Sequence, residues 1–152
     1  MGNSENTLFC SPTGSNRVRG NDSFGQGRFG ASRGLRLHVG VDLNVTAGAD
    51  VYSPVFGKVT RIALPYKSDQ RYKGLVIEGL GKYVGYVIKL FYLDPKLGIV
   101  GRTVAQGEVV GTAQDLTVKY RGISNHIHFE ITQNGVAVDP SRFLETEESC
   151  KA

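Results

Sequence analysis

Between Gly74 and Tyr92 the chain reads Leu75-Val-Ile-Glu78, then Gly79-Leu80-Gly81-Lys82, then Tyr83 to Tyr92: β-branched and aromatic residues on either side of a double-glycine turn. Such a stretch predicts a β-hairpin. No segment elsewhere carries a helical period of ten or more residues, so the hairpin sets the architecture. Val51 to Val55 and Gly57 to Leu64 read as further β-segments, with Pro54 at an edge or bend and Gly57 at the turn. Asp94-Pro95 starts a loop, and Val104-Ala-Gln-Gly107-Glu-Val-Val-Gly111 gives a glycine turn followed by a short buried strand. His126 to Ile131 and Val136 to Val138 flank Thr132-Gln-Asn134-Gly135, whose Asn-Gly pair suits a hairpin turn with positive φ. The expected fold class is mainly β, an antiparallel β-sheet core that is curved or sandwich-like.

At 152 residues the chain has the size of one domain. Residues 1–34, rich in Gly, Ser, Asn and Arg with Phe9, Phe24 and Phe29 scattered among them, read as an irregular N-terminal arm laid over the domain and partly mobile. The β domain runs over 35–144, and 145–152 is an acidic tail carrying Glu145, Glu147 and Glu148. No apolar run approaches the length of a membrane span. Arg17, Arg19, Arg28, Arg33 and Arg36 face one nearby acid, Asp22, but no nucleic-acid motif accompanies them, so solvated surface is preferred to nucleic-acid binding. Cys10 and Cys150 either join the two ends in a disulfide or stay as free thiols. The Met-Gly-Asn-Ser opening has no apolar signal core, so the protein is either intracellular or secreted with its signal removed. Two triplets beginning at Asn21 and Asn44 match glycosylation sequons, which matter only for a secreted chain.

All three histidines fall in two short stretches, His38-Val-Gly-Val-Asp42 and His126-Ile-His128. Read as metal ligands, His38, Asp42 and one of the late pair supply three donors and leave a fourth position open, the arrangement of a catalytic zinc site. Residues four apart on a strand lie roughly 13 Å from each other, too far to grip one ion. Val39-Gly40-Val41 is a poor helical run, so Gly40 predicts a bend or bulge. His126 and His128 share one strand face, about 6.6 Å apart. One of them binds the metal and the other acts on a metal-bound water. Glu130 lies on the same face and either orients one imidazole or stands solvated at the rim.

In order along the chain, His38-Val-Gly-Val-Asp42, Ala49-Asp-Val-Tyr-Ser-Pro-Val-Phe-Gly57, Val104-Ala-Gln-Gly-Glu-Val-Val-Gly111 and His126-Ile-His-Phe-Glu-Ile131 resemble the lysostaphin/LytM-type zinc endopeptidases, which cut peptide cross-bridges in bacterial cell walls. The resemblance spans roughly residues 35 to 144. It implies an antiparallel β-sheet with a groove, Zn2+ held by His38, Asp42 and His128, and His126 in the catalytic role. Active members carry a second catalytic histidine in a Tyr-x-His-Leu-type segment, and here that position falls on Tyr92. With an ordinary pKa near 10, a tyrosine donates to an oxyanion but is a poor proton acceptor at neutral pH. The substitution, with Phe91-Tyr-Leu-Asp-Pro95, is similar to a secreted, chemotaxin-type branch of the same fold.

These residues support two functional readings. The favoured one is a zinc-binding, catalytically impaired module, extracellular, recognising a protein receptor, glycan or peptide ligand. The alternative is a working zinc endopeptidase for peptidoglycan or glycine-rich peptides, with His126 as base and Tyr92 assisting the transition state.

Overall fold

A computed structural model describes residues 9–14 and 39–144, together with the backbone of 32–33 and 36–37. The strands in chain order are β1 (Ser32–Arg33), β2 (Arg36–Leu37), β3 (Val41–Asn44), β4 (Asp50–Tyr52), β5 (Gly57–Ala63), β6 (Gly74–Gly79), β7 (Tyr86–Phe91), β8 (Leu93–Pro95), β9 (Thr103–Val104), β10 (Val109–Ala113), β11 (His126–Gln133) and β12 (Val136–Val138). A seven-stranded sheet runs β12-β11-β7-β6-β5-β9, with β3 also pairing β11, and a three-stranded sheet runs β4-β10-β8. Every pairing between these strands is antiparallel. The fold is therefore the mainly β, antiparallel architecture expected from the sequence.

Alternation explains how one strand serves two purposes. On β11, Ile127, Phe129 and Ile131 are fully buried in the core, where they meet Leu43, Leu75, Ile77, Ile88 and Leu90. His126, His128 and Glu130 project from the opposite face. Apolar burial of this kind is the main driving force of the fold. At the far end of β11 the chain turns through Asn134 (φ 51°) and Gly135 (φ 85°), the positive-φ pair that the Asn-Gly sequence predicts.

Several boundaries differ from the sequence reading. Tyr83 lies in a 3-10 turn, Gly81–Tyr83, not in the second hairpin strand. Its buried ring stands edge-on to Phe9 at 5.3 Å, and its hydroxyl accepts a hydrogen bond from Gln106 Nε2 at 2.8 Å. Gly57 is the first residue of β5, and the bend precedes it. Leu93–Pro95 forms a strand where a loop is expected, because β10 offers it an edge: Gly111 pairs with Pro95 and Ala113 with Leu93. A Cβ on Gly111 would meet Leu93 Cδ1 at 2.6 Å, so the close approach needs glycine there.

Part of the N-terminal arm belongs to the core. Phe9 is 1% exposed, and its N–H donates to the Phe143 carbonyl at 2.7 Å. Cys10 is buried and disulfide-bonded, so the free-thiol alternative falls away for it. Cys150, the chain's other cysteine, lies outside the described residues, as do the sequon at Asn21 and the arginines at 17, 19 and 28.

Candidate metal and catalytic site

The site's floor is built by the pairing of β3 with β11. Register sets His128 opposite Asp42 and His126 opposite Asn44, and directly opposed residues of antiparallel strands share a face. The bend at Val39–Gly40 delivers the chain into this pairing. Gly40 is buried against β11: a Cβ there would collide with the Phe129 carbonyl oxygen and meet Glu130 Cγ at 2.9 Å and His128 Cε1 at 3.1 Å. The bend expected at Gly40 is present, and the glycine is needed for space. His38, the first of the three sequence-assigned ligands, lies outside the described residues.

The remaining candidates converge. His128 Nδ1 is 2.9 Å from Asp42 Oδ1, and His128 Nε2 is 2.8 Å from Glu130 Oε2. His126 Nε2 lies 3.6 Å from Asp42 Oδ2. Phe91 stacks on the His128 ring at 5.5 Å and 18°, and Asp42 and His126 are both almost wholly buried. Burial acts to lower the His128 pKa, but the hydrogen bonds to Asp42 and then Glu130 outweigh it and lift the imidazole from 6.5 to about 9. An imidazolium clamped between two carboxylates is therefore the stable form at neutral pH.

Asp42 and His128 bring together one oxygen and one nitrogen donor, both of kinds that zinc takes. A carboxylate and an imidazole nitrogen lie about as far apart as two ligands of one tetrahedral ion, roughly 3.3 Å. Glu130 on the other ring nitrogen is the kind of carboxylate partner that orients a ligating histidine. Among the described residues no group of three or more His, Cys, Asp or Glu side chains is arranged to hold a metal.

The catalytic candidates occupy the next position along. Ser124 carbonyl accepts from His126 Nδ1 at 2.8 Å, which leaves Nε2 as the nitrogen able to take a proton. Tyr92 presents its ring edge-on to His126, at 5.5 Å and 88°. It lies between β7 and β8 with φ 78°, a left-handed conformation that non-glycine residues rarely adopt. Backbone bonds secure it there: its N–H donates to the Lys73 carbonyl at 2.7 Å, and its carbonyl accepts from Gln114 N–H at 2.9 Å.

Sequence reasoning missed what surrounds Tyr92. Tyr66 Oη is 3.0 Å from Tyr92 Oη and accepts from Tyr120 Oη at 2.7 Å. Tyr72 stands edge-on to both Tyr66 and Tyr92. Lys119 Nζ lies 5.0 Å from the Tyr66 ring centroid, 5.7 Å from that of Tyr120 and 5.9 Å from that of Tyr72. Lys119 also bonds Asp69 at 3.3 Å, and Asp69 takes a bidentate pair from Arg71. Burial, and then the bonds to Tyr120 and Tyr92, push the Tyr66 hydroxyl well above its ordinary value. The three bonded hydroxyls form a neutral network.

Comparison with known proteins decides the family. A model of peptidase family M23 matches residues 36–140. The chain belongs to peptidase family M23. It is 36% identical over 138 residues to leukocyte cell-derived chemotaxin-2 of Bos taurus, covering 90% of this chain and 85% of that protein. The solution structure of lysostaphin matches with a TM-score of 0.60 at 19% identity, covering 86% of this chain and 51% of lysostaphin. A zinc-containing peptidase from Vibrio cholerae matches with a TM-score of 0.57 at 22% identity, over 87% of this chain and 40% of the other. At those identities the two structural likenesses speak of fold. M23 peptidases are generally zinc-dependent, and no helix among the described residues is long and apolar enough to cross a membrane.

Proposed function

We propose that this M23 domain binds Zn2+ through His38, Asp42 and His128, is catalytically impaired, and acts as a secreted module that recognises a protein receptor, glycan or peptide. The observation that carries the reading is Tyr92: its hydroxyl lies 3.0 Å from Tyr66 Oη within a neutral tyrosine network, at the position where resemblance to the family calls for a second histidine. A bound zinc would lower the pKa of a coordinated water and polarise a carbonyl. Proton handling falls to this chain's own residues. His126, with Nδ1 committed to Ser124, takes up a proton at Nε2. Tyr92 offers an O–H donor in place of the second imidazole that would share the proton transfers. Extracellular residence agrees with the Cys10 disulfide, since such bonds persist in oxidising compartments. The division into an arm at 1–34, a binding domain at 35–144 and an acidic tail at 145–152 belongs to the same proposal.

The alternative, a working endopeptidase, is favoured by the tautomer that Ser124 imposes on His126. Purified protein never exposed to chelator is expected to carry close to one equivalent of zinc and to leave pentaglycine and cell-wall peptides uncut. Cleavage that disappears in His126→Ala would establish the endopeptidase instead. Less than about a tenth of an equivalent of zinc would remove the metal site from either reading.

A further inference from the structure

Away from the metal site, the turn that follows β8 holds an apolar side chain where the core does not use it. Lys96 N–H donates to the Val110 carbonyl at 2.8 Å, and Ile99 N–H closes the turn onto the Lys96 carbonyl at 3.1 Å. Gly98, third in the turn, takes φ 75°, the residue and the angle that a type II turn needs. Ile99 is buried and anchors the turn, whereas Leu97 is 97% exposed. One exposed leucine is ordinary on a protein surface. Leu97, however, shares a cavity of about 290 Å³ with Ile62, Pro95, Val100, Lys73 and Lys96, and Ile62 and Val100 are themselves 37% and 46% exposed. Clustered apolar exposure of this kind marks an interaction site. None of Asp42, Tyr92, His126 or His128 lines the cavity.

The charge around it has one sign. Neither Lys73 nor Lys96 has a side-chain hydrogen bond or an ion pair among the described residues. No acid lines the cavity. Asp94, close by in sequence, accepts from Gln114 Nε2 at 2.8 Å and lines a different cavity. The backbones that carry the two cations are fixed: Lys73 N–H donates to Gln114 Oε1 at 3.1 Å, and the Lys73 carbonyl accepts from the N–H groups of Tyr92 and Leu93. A partner would therefore have to order only the two lysine stems, which lowers the entropic cost of docking.

We infer that this cavity docks an acidic segment of a protein partner, one apolar side chain entering between Ile62, Leu97 and Val100 while flanking carboxylates meet Lys73 and Lys96. The inference rests on the recognition reading above and gives it a surface separate from the metal site and a partner class. The volume lies at the lower end of the roughly 300–1,000 Å³ of small-molecule sites, which suits a single anchoring side chain. Concavity also favours a peptide over a lipid surface, because a bilayer would take up Leu97 as a wedge without filling the hollow behind it.

The test uses zinc-loaded full-length protein and a short fluorescein-labelled peptide of glutamates and glycines around one leucine, with affinity read by anisotropy. Its counterparts carry serine for the leucine, or lysines for the glutamates. The leucine-glutamate peptide is expected to bind the wild type about tenfold or more tightly than either counterpart, and to lose about as much in Leu97→Ser. Reversing the rim with Lys73→Glu and Lys96→Glu together should abolish binding of the glutamate peptide and create binding of the lysine peptide, an exchange that a merely structural change would not produce. Chelator-treated protein should bind as the zinc-loaded protein does. Equal affinity in the wild type and these variants would overturn the assignment. Binding lost on chelation would seat the peptide at the metal site, overturning the assignment and leaving the recognition reading in place. Zinc-loaded protein that binds none of the peptides overturns the docking site and leaves the metal reading standing. Sedimentation with vesicles of phosphatidylcholine and phosphatidylserine in equal parts, lost in Leu97→Ser and unaccompanied by peptide binding, would overturn it in favour of a membrane. Pentaglycine cleavage by protein that binds the peptides as expected would remove the impaired-module reading and uphold the docking site.

Discussion

The floor and the wall of the site are built by different means. The floor, Asp42, His126, His128 and Glu130, comes from two strands whose pairing register places each side chain opposite its partner. The wall, Tyr66, Tyr72, Tyr92 and Tyr120, comes from loops and strand ends up to 54 residues apart, gathered by hydroxyl contacts and by Lys119 over three rings. On the floor, charge is buried and a lost partner leaves it uncompensated. In the wall, the hydroxyl-bonded rings of Tyr66, Tyr92 and Tyr120 are half-buried and neutral contacts carry the order. Damage to the floor should therefore unbind metal and cost stability, whereas damage to the wall should alter ligand handling and leave the metal in place.

The largest effect should come from His128→Ala. Asp42 and Glu130 lose the imidazole between them, and breaking a buried charged cluster in this way costs about 3–5 kcal/mol. Denaturant unfolding with metal analysis should show that loss together with an absence of zinc; a variant that keeps its zinc would remove His128 from the ligand set.

Next comes pH. The His128 pKa is raised from 6.5 to about 9 in the folded chain, so in chelator-treated protein its contribution is complete below about pH 6.5. It is lost as pH rises through 9, amounting to up to about 3 kcal/mol between those limits. Urea unfolding near pH 6 and near pH 9.5 measures it. Zinc-loaded protein should be much flatter over the same window, because the ion takes the proton's place. The wall's acid sensitivity lies elsewhere: the Arg71 hydrogen bond holds the Asp69 pKa below its usual range, so that pair weakens only as pH falls below the ordinary carboxylate range.

Gly40→Ala should cost about 1–3 kcal/mol, since its Cβ collides with β11, and should weaken zinc binding with it. Unchanged stability and metal affinity would mean that the bend adapts and the floor is less rigid than its register suggests. The smallest effect belongs to the wall. Tyr66→Phe removes the hydroxyl between Tyr92 and Tyr120 for about 1 kcal/mol, with zinc content unchanged. Zinc lost from this variant would collapse the distinction between the two regions.

The same contrast sets what was legible in the sequence. The late histidine pair and the hairpin could be read because period-two alternation is a local property: Ile127, Phe129 and Ile131 face the core, so His126 and His128 must face away from it. Gly40 announced a bend because Val39-Gly40-Val41 is a poor helical run and a straight strand would hold His38 and Asp42 apart, although the underlying cause, contact with β11, needed the partner strand. The tyrosine cluster was invisible because no spacing rule links Tyr66 to Tyr120. Phe9 reads as part of a surface arm because a single aromatic in a polar segment carries no period, yet it packs against Tyr83, Tyr86 and Phe143. Asn44 looked like the start of a sequon, and only the strand register set it opposite His126.

The backbone at Tyr92 is anchored on both sides by main-chain bonds that ignore which ring is attached. Such a position works as a socket: replacing its occupant with an imidazole would remove the hydroxyl contact to Tyr66 and leave the two main-chain bonds in place. A domain built this way would change the proton chemistry beside His126 by exchanging a single side chain.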